Sequence, residues 1–361
     1  MSVEDRPFTD GRPSESAVSW LPKHKRADPT DGGIEAATDR MEIDGRSERT
    51  RLATTPGIEL REEATFKTGA GSSRAKSWAA TTTEWRKWLA DVKATSAVFE
   101  GENVATGETD EQVVPLENRF MESRQKQLYA KLHDLERGVR DDFENLNTAM
   151  LTFTASNRSG AGDWWRSPGN HLDDLMGSWS AVRRSLHRVL DGRRWEYARI
   201  LEPHKSGYVH VHLAVFVDGY VRPETFESVM DAHVDHCLPA GSEAHSVDSD
   251  AVSIRRDVSN VAAYLSSYVM KYGEEALEAP EHVQRFNALL WATGTRRWSV
   301  SNGAQEYMAF EGPEMATDWQ YELTHVEVGE DRYPVERGGG DVLKLALPPD
   351  GAGLDPPPEL T

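Results

Sequence analysis

Between residues 146 and 305 the apolar positions change period several times, and each change predicts an element. "TAMLTFTAS", Thr148 to Ser156, alternates and is β-branched, which predicts a strand. "HLDDLMGSWSAVRRSLHRVLDG" instead sets Leu172, Leu175, Met176, Trp179, Val182, Leu186 and Val189 on one helical stripe and stops at Gly192. "WEYARILE" and "YVHVHLAVFV" read as two strands around a short turn, and "RPETFESVMDAHVDHCL" as a helix. "SDAVSIRRD" is a further strand, and "VSNVAAYLSSYVMKYG" a helix ended by Gly273. The order βαββαβα predicts an α+β fold, a central antiparallel sheet with helices packed on it. "EHVQRFNALLWATGTRRWSVS" adds one more helix and an arm.

Outside this block the pattern weakens. Residues 1–75 mix Pro, Gly, Ser, Thr, Asp and Arg without apolar period and predict a disordered region. Residues 76–145 predict a helical extension: a short helix capped by Thr83, then a long one with Leu128, Leu132, Leu135, Val139 and Phe143 on one stripe. Residues 306–361 form a C-terminal extension, expected to be largely disordered from about 338, where "GGGDVLKLALPPDGAGLDPPPEL" begins.

Charge and composition narrow the class. The 361 residues carry a formal charge of -19, with 11 lysines against 30 arginines, a balance that suits solubility in concentrated salt. Residues 146–305 hold 16 basic and 19 acidic residues, so about -16 of the charge lies in the acidic flanks and does not argue against a DNA-handling core. The single Cys237 excludes a disulfide framework and a cysteine-cluster zinc site. With no apolar run of about 18 residues and a polar start, the expectation is a cytoplasmic protein without a membrane partner.

The stretch "EPHKSGYVHVHLAVFV" carries the first candidate chemistry. On a strand, His210 and His212 point to one face while Val211 and Leu213 point to the other. If Lys205, Ser206 and Gly207 form a three-residue loop, with Gly207 left-handed, His204 pairs with Tyr208 and Glu202 falls opposite His210. Either the histidines are satisfied polar residues at a sheet edge, or Glu202, His210 and His212 hold a divalent metal, Mg²⁺ or Mn²⁺, as a Lewis acid. His204, His171 and His187 are weaker candidates whose ordinary roles are surface or capping.

Downstream, "YLSSYVMKYG" places Tyr264, Tyr268 and Lys271 along one helical face. A phenol is a nucleophile where a metal or lysine stabilises its phenolate. The competing reading is an amphipathic helix that buries the rings.

"LTFTAS", "HVHLAVF" and "YLSSYVMK", in that order, resemble the three motifs of the HUH endonucleases, named for His-hydrophobic-His, in their rolling-circle replication initiator branch. The Tyr-x-x-x-Tyr-x-x-Lys spacing is similar to that of two-tyrosine initiators of small DNA phages and of plasmids and viruses of salt-loving archaea. "EPHKSGYVHVH" is also similar to the initiators of plant single-stranded DNA viruses, in which the glutamate is a metal ligand. The resemblance implies an RRM-like palm over 146–305 that nicks single-stranded DNA at a replication origin. A metal held by His210, His212 and Glu202 polarises the phosphodiester. Tyr268 attacks phosphorus, leaving a 5′-phosphotyrosyl link and a free 3′-OH, and Tyr264 takes a second transfer when strands are rejoined. Transesterification needs no ATP and no phosphate-binding Gly-x-x-x-x-Gly-Lys-Ser/Thr run is present, so strand opening falls to a host helicase and extension to a DNA polymerase.

Two clusters are candidates for holding the single strand. Trp164, Trp165 and Arg166 follow the first strand, and Arg296, Arg297 and Trp298 follow the last helix; either set can stack bases and bind phosphates, or anchor the core. Two other functions compete with the initiator: a transposase with the same chemistry, and a non-catalytic DNA-binding regulator in which the histidines are structural.

Overall fold

The computed structural model describes residues 49–68, 72–158, 165–255, 276–308, 318–337 and 343–345. The strands are β1 (Thr65–Thr68), β2 (Ser72–Ala75), β3 (Thr95–Asn103), β4 (Thr109–Pro115), β5 (Leu146–Phe153), β6 (Trp195–Pro203), β7 (Val209–Asp218), β8 (Val252–Arg255), β9 (Trp298–Val300), β10 (Trp319–Val328), β11 (Asp331–Arg337) and β12 (Leu343–Leu345). The helices are α1 (Trp78–Lys93), α2 (Glu122–Asp142), α3 (Pro168–Gly177), α4 (Trp179–Val189), α5 (Glu227–His236), α6 (Glu281–Thr293) and α7 (Asn302–Tyr307).

The fold is α+β, and its centre is the antiparallel sheet β8-β5-β7-β6-β9. Alternation along β7 divides two cores. Val209, Val211, Leu213, Val215 and Val217 enter the larger one, with Trp85 and Leu89 of α1, Leu172 of α3, Leu186 of α4 and Phe286 of α6. Ala214 and Phe216 face the other side with Met150, Ala198 and Ile200. There α2 lays down Leu128, Leu132, Leu135 and Val139, joined by Ala304 and Met308. Helices thus cover both faces of the sheet. The spacing of three and four along α2 is what lets it cover a flat apolar surface. It covers the sheet as far as Ala214, and His212 and His210 follow on the same face of β7.

Several expected elements take a different form. The stripe from Leu172 to Val189 breaks into α3 and α4 at Ser178, whose hydroxyl lies 2.8 Å from the Leu175 carbonyl and 2.8 Å from His233 Nδ1. The first helix begins at Trp78 rather than at Thr83, because Ser77 Oγ accepts from the Ala80 amide at 3.2 Å. Thr81, Thr82 and Thr83 sit inside it and return their hydroxyls to carbonyls four residues back. Residues 76–145 are not wholly helical, since β3 and β4 form a hairpin there. The partners of β3 come from far downstream, in the order β12-β11-β10-β3-β4, with Val98 opposite His325. That sheet also gives order to part of the C-terminal extension, including Leu343–Leu345 beyond residue 338.

Part of the N-terminal region expected to be disordered is also attached to the core. Leu52 and Ala64 are buried, the Leu52 carbonyl accepts from Gly169 N at 2.7 Å, and Arg61 N donates to the Ala292 carbonyl at 2.9 Å. Leu60 and Ala75 pack against the same core, and the Arg61 guanidinium lies over Trp88 and Trp291. Residues 1–48 and 346–361 lie outside the described residues, as does the expected helix ending at Gly273. Among the described residues, no helix is long and apolar enough to cross a membrane.

Candidate metal centre

The β6–β7 hairpin forms with the loop that the sequence predicts. Gly207 takes φ +83°, its amide donates to the His204 carbonyl at 2.8 Å, and His204 N donates to the Tyr208 carbonyl at 2.7 Å. A side chain at 207 would also meet the Trp78 ring at 2.9 Å, so glycine is required twice over. The register that follows puts Glu202 opposite His210 and Ile200 opposite His212. Because side chains alternate, Glu202, His210 and His212 share one face.

Their ligating atoms meet at a point. Glu202 Oε2 is 2.7 Å from His210 Nε2 and 2.7 Å from His212 Nε2, and the two nitrogens are 2.8 Å apart. All three residues are at most 9% exposed, so solvent does little to screen them. Burial pushes the Glu202 carboxyl up, but hydrogen bonds and charge from His210 and His212 more than offset it and hold the group well below the usual carboxylate range. Two imidazole nitrogens and a carboxylate oxygen this close leave their lone pairs aimed at a shared cation. With metal–ligand distances of about 2.1 Å, adjacent ligands stand about 3.0 Å apart on an octahedron and about 3.4 Å on a tetrahedron. The observed triangle fits one octahedral face, and this buried Glu-His-His group can hold a metal ion.

A residue not anticipated from sequence completes the geometry. Thr152, opposite His212 on β5, places Oγ1 3.2 Å from His212 Nδ1. When Nδ1–H donates to that hydroxyl, Nε2 keeps its lone pair for the cation. The sequence signal was the alternation of "LTFT", which turns Thr152 to the same face as the histidines, but the pairing of β5 with β7 is not local. His204 packs its ring against His210, 4.2 Å between centroids.

The other histidines have structural partners. His171 Nε2 donates to the Ala155 carbonyl at 3.1 Å, and His233 Nε2 to the Thr154 carbonyl at 3.0 Å. His245 donates from Nδ1 to the Gly241 carbonyl at 2.6 Å and accepts from Thr154 N at 3.0 Å. Three buried imidazoles therefore anchor the backbone where β5 leaves the sheet. Burial lowers His171 and His233 to about 4, which leaves both neutral at pH 7, and it lowers His245 as well. His187 is exposed, its ring edge-on to Trp195.

Both candidate DNA-contacting clusters flank the hairpin. Trp165 stacks on Tyr208, two residues before His210, at 5.7 Å, and Arg158 lies 3.8 Å from its ring centre. Arg166 pairs with Asp174, and its carbonyl accepts from the Tyr208 hydroxyl. On the other side the Arg297 carbonyl accepts from Leu201 N at 2.8 Å, next to Glu202. Arg296 is exposed, Arg297 lies over Phe286, and Trp298 is half-buried against the smaller core. Trp164, Tyr264, Tyr268 and Lys271 lie outside the described residues.

The antiparallel sheet with a buried Glu-His-His face defines a protein of the α+β class with a metal-competent hairpin. Residues 50–328 match the family described as "Putative rep protein (DUF1424)", and the chain belongs to that family. It is similar to an "Uncharacterized 36 kDa protein" of Halobacterium salinarum, 45% identical over 272 residues, covering 71% of this chain and 84% of that protein. A second protein of the same description, from Halobacterium sp. (strain GN101), is 40% identical over 292 residues, covering 75% of this chain and 87% of that protein. No solved structure matches the chain.

Proposed function

We propose that this protein initiates rolling-circle replication by nicking single-stranded DNA at an origin and later rejoining the strand. The observation that supports this most is the convergence of Glu202 Oε2, His210 Nε2 and His212 Nε2 within 2.8 Å of one another, in a chain of a Rep family.

In this reading Glu202, His210 and His212 hold a divalent ion, Mg²⁺ or Mn²⁺. When bound, the ion supplies Lewis-acid polarisation of the scissile phosphodiester. Thr152 keeps the His212 ring in the ligating tautomer. Tyr268 attacks phosphorus, and Lys271, three residues further along the sequence, favours its phenolate. The bond to the 3′ oxygen breaks, that oxygen leaves as a hydroxyl for a DNA polymerase to extend, and the 5′ phosphate stays on the tyrosine. Tyr264 accepts the second transfer. Trp165, Arg166, Arg296, Arg297 and Trp298, placed along both sides of the hairpin, are the proposed strand contacts. A host helicase opens the duplex.

The test uses the full chain and labelled single-stranded oligonucleotides that tile the non-coding DNA beside its gene. Cleavage that requires Mn²⁺ or Mg²⁺ and leaves protein covalently on the 5′ end is expected. His210→Ala should abolish it. Cleavage that persists in His210→Ala with chelator, or products without a covalent adduct, would overturn the reading.

A further inference from the structure

The chain treats its basic residues differently on its two exposed helices. On α2 three of the five Lys and Arg residues pair with an acid one turn away: Lys126 with Glu122, Arg137 with Asp134 and Arg140 with Glu136. Helix α4 reads WSAVRRSLHRV and has no acidic residue at all. Ala181, Val182, Ser185 and Leu186 are buried, which turns Arg183, Arg184, His187 and Arg188 outward, all exposed. The positive surface continues past the helix. Arg193 donates to the Tyr220 carbonyl at 2.7 Å, and Arg222 lies over the half-exposed Tyr220 ring. The turn Pro223–Phe226 that follows Arg222 packs against α4, so these groups share one surface. Among the described residues, no carboxylate comes within 4 Å of Arg183, Arg184, Arg188, Arg193 or Arg222. Acids do neighbour this surface: Asp191 follows the helix, Glu224 lies on the turn itself, and Glu227, Asp231 and Asp235 are exposed on α5, which packs against α4.

In a chain of net charge -19 this acid-free helix is the opposite of the general surface. Its charge is arginine, although the chain has lysines to use. In concentrated salt the Debye length falls to about 3 Å at 1 M, so long-range attraction to a polyanion is lost. Bidentate guanidinium–phosphate hydrogen bonds act at contact and survive that screening. A single strand is held by successive bases stacked on aromatic rings, whereas this surface presents chiefly guanidinium groups, with the Tyr220 ring covered by Arg222 and the His187 ring set edge-on to Trp195. The surface lies on the α4 side of the sheet, whereas Glu202, His210 and His212 occupy the α2 side.

Building on the replication reading, we infer that α4, with Arg193 and Arg222, docks the phosphate backbone of duplex DNA next to the site that is nicked. The protein then grips double-stranded origin on one face of its sheet and handles the single strand on the other. No base contact is involved, so this grip is independent of sequence.

The experiment measures anisotropy of a labelled duplex of arbitrary sequence with full-length protein over a series of KCl concentrations. Three proteins are compared: wild type, the triple change Arg183→Gln, Arg184→Gln, Arg188→Gln, and a control triple on α2, Arg124→Gln, Lys126→Gln, Lys131→Gln. All six side chains project from helix surfaces away from the core, and circular dichroism checks that each protein folds. The α4 triple should lose at least about tenfold in duplex affinity and its salt slope should fall by about three, one unit per phosphate contact. The control should match wild type, and metal-dependent cleavage of a single-stranded oligonucleotide should be unchanged in both. Unchanged duplex affinity in the α4 triple, or an equal loss in the control, overturns the inference and leaves the arginines to an acidic protein partner. Wild type that cleaves single strands but binds no duplex overturns this inference alone. Wild type that does neither overturns the replication reading with it.

Discussion

Glu202 faces His210 across the β6–β7 ladder, and its Oε2 is the same 2.7 Å from His210 Nε2 as from His212 Nε2. A carboxylate shared so evenly by two imidazoles behaves as one corner of a ligand set. Metal bound only by the folded chain should raise the unfolding temperature, with stabilisation of about 2.7 kcal/mol at a hundred times the dissociation constant. Thermal unfolding with and without Mn²⁺ should show this shift in wild type, a smaller one in Glu202→Gln and none in His210→Ala/His212→Ala. An equal shift in the double variant would place the metal elsewhere.

Thr152 Oγ1, 3.2 Å from His212 Nδ1, selects which nitrogen is left to ligate. Thr152→Val removes the acceptor while keeping the shape of the side chain. Metal affinity should fall about tenfold, read by calorimetric titration, and Thr152→Ser should restore it. A valine variant with wild-type affinity would show that packing alone orients the ring.

The histidines that anchor Thr154 and Ala155 set an acid limit on stability. His171 and His233 are lowered by burial to about 4, whereas in the unfolded chain they titrate near 6.5. Between those values the unfolded state binds more protons, so their contribution is complete above about pH 6.5 and shrinks as pH falls towards 4. Each histidine gives a slope of at most about 1.4 kcal/mol per pH unit. Glu202, held below the usual carboxylate range, adds its own loss at lower pH still. Urea unfolding between pH 7 and pH 4.5 should show the decline, and His233→Gln should make it shallower. A flat profile would mean that these imidazoles titrate in the fold as they do in the unfolded chain.

What could be read from sequence was local. The side-chain period of a strand and a glycine-bearing turn were sufficient to bring Glu202 to His210, because only eight residues separate them. Thr152 reaches the same point from sixty residues away, and no spacing in the chain announces that pairing. The same distance problem hid the second sheet: β3 lies between two helices, and the strand that makes sense of it begins at Trp319. Threonine is a good cap, which favours Thr83 in the sequence, but Ser77 lies just before the buried Trp78 and Trp85, and the helix is capped there instead. His233 likewise finds its partner far away in the chain, at the carbonyl of Thr154 just past the end of β5. For Trp165 and Trp298 the sequence leaves base stacking and core anchoring both open, and the fold sets one ring on Tyr208 and the other, half-buried, against the smaller core.

The order in which the two tyrosines act is the sharpest consequence of the proposed chemistry. The spacing of Tyr264, Tyr268 and Lys271 in the sequence predicts Lys271 one helical turn from Tyr268 and two from Tyr264. An ammonium stabilises a phenolate most when it is near, which makes Tyr268 the stronger nucleophile at neutral pH and the residue for the first attack. Tyr264 is left to receive the strand at termination. Tyr268→Phe should therefore eliminate covalent adduct with a single-stranded origin oligonucleotide. Tyr264→Phe should still form adduct but fail to release a closed circle from a replicating template. Lys271→Met should slow the first attack by about 10- to 100-fold, with the loss largest at low pH, where the phenol most needs help to ionise. Mass mapping of the phosphotyrosyl peptide from wild type decides the assignment. Adduct on Tyr264, or divided between the two, makes the tyrosines interchangeable; adduct on neither removes the nucleophile from this segment.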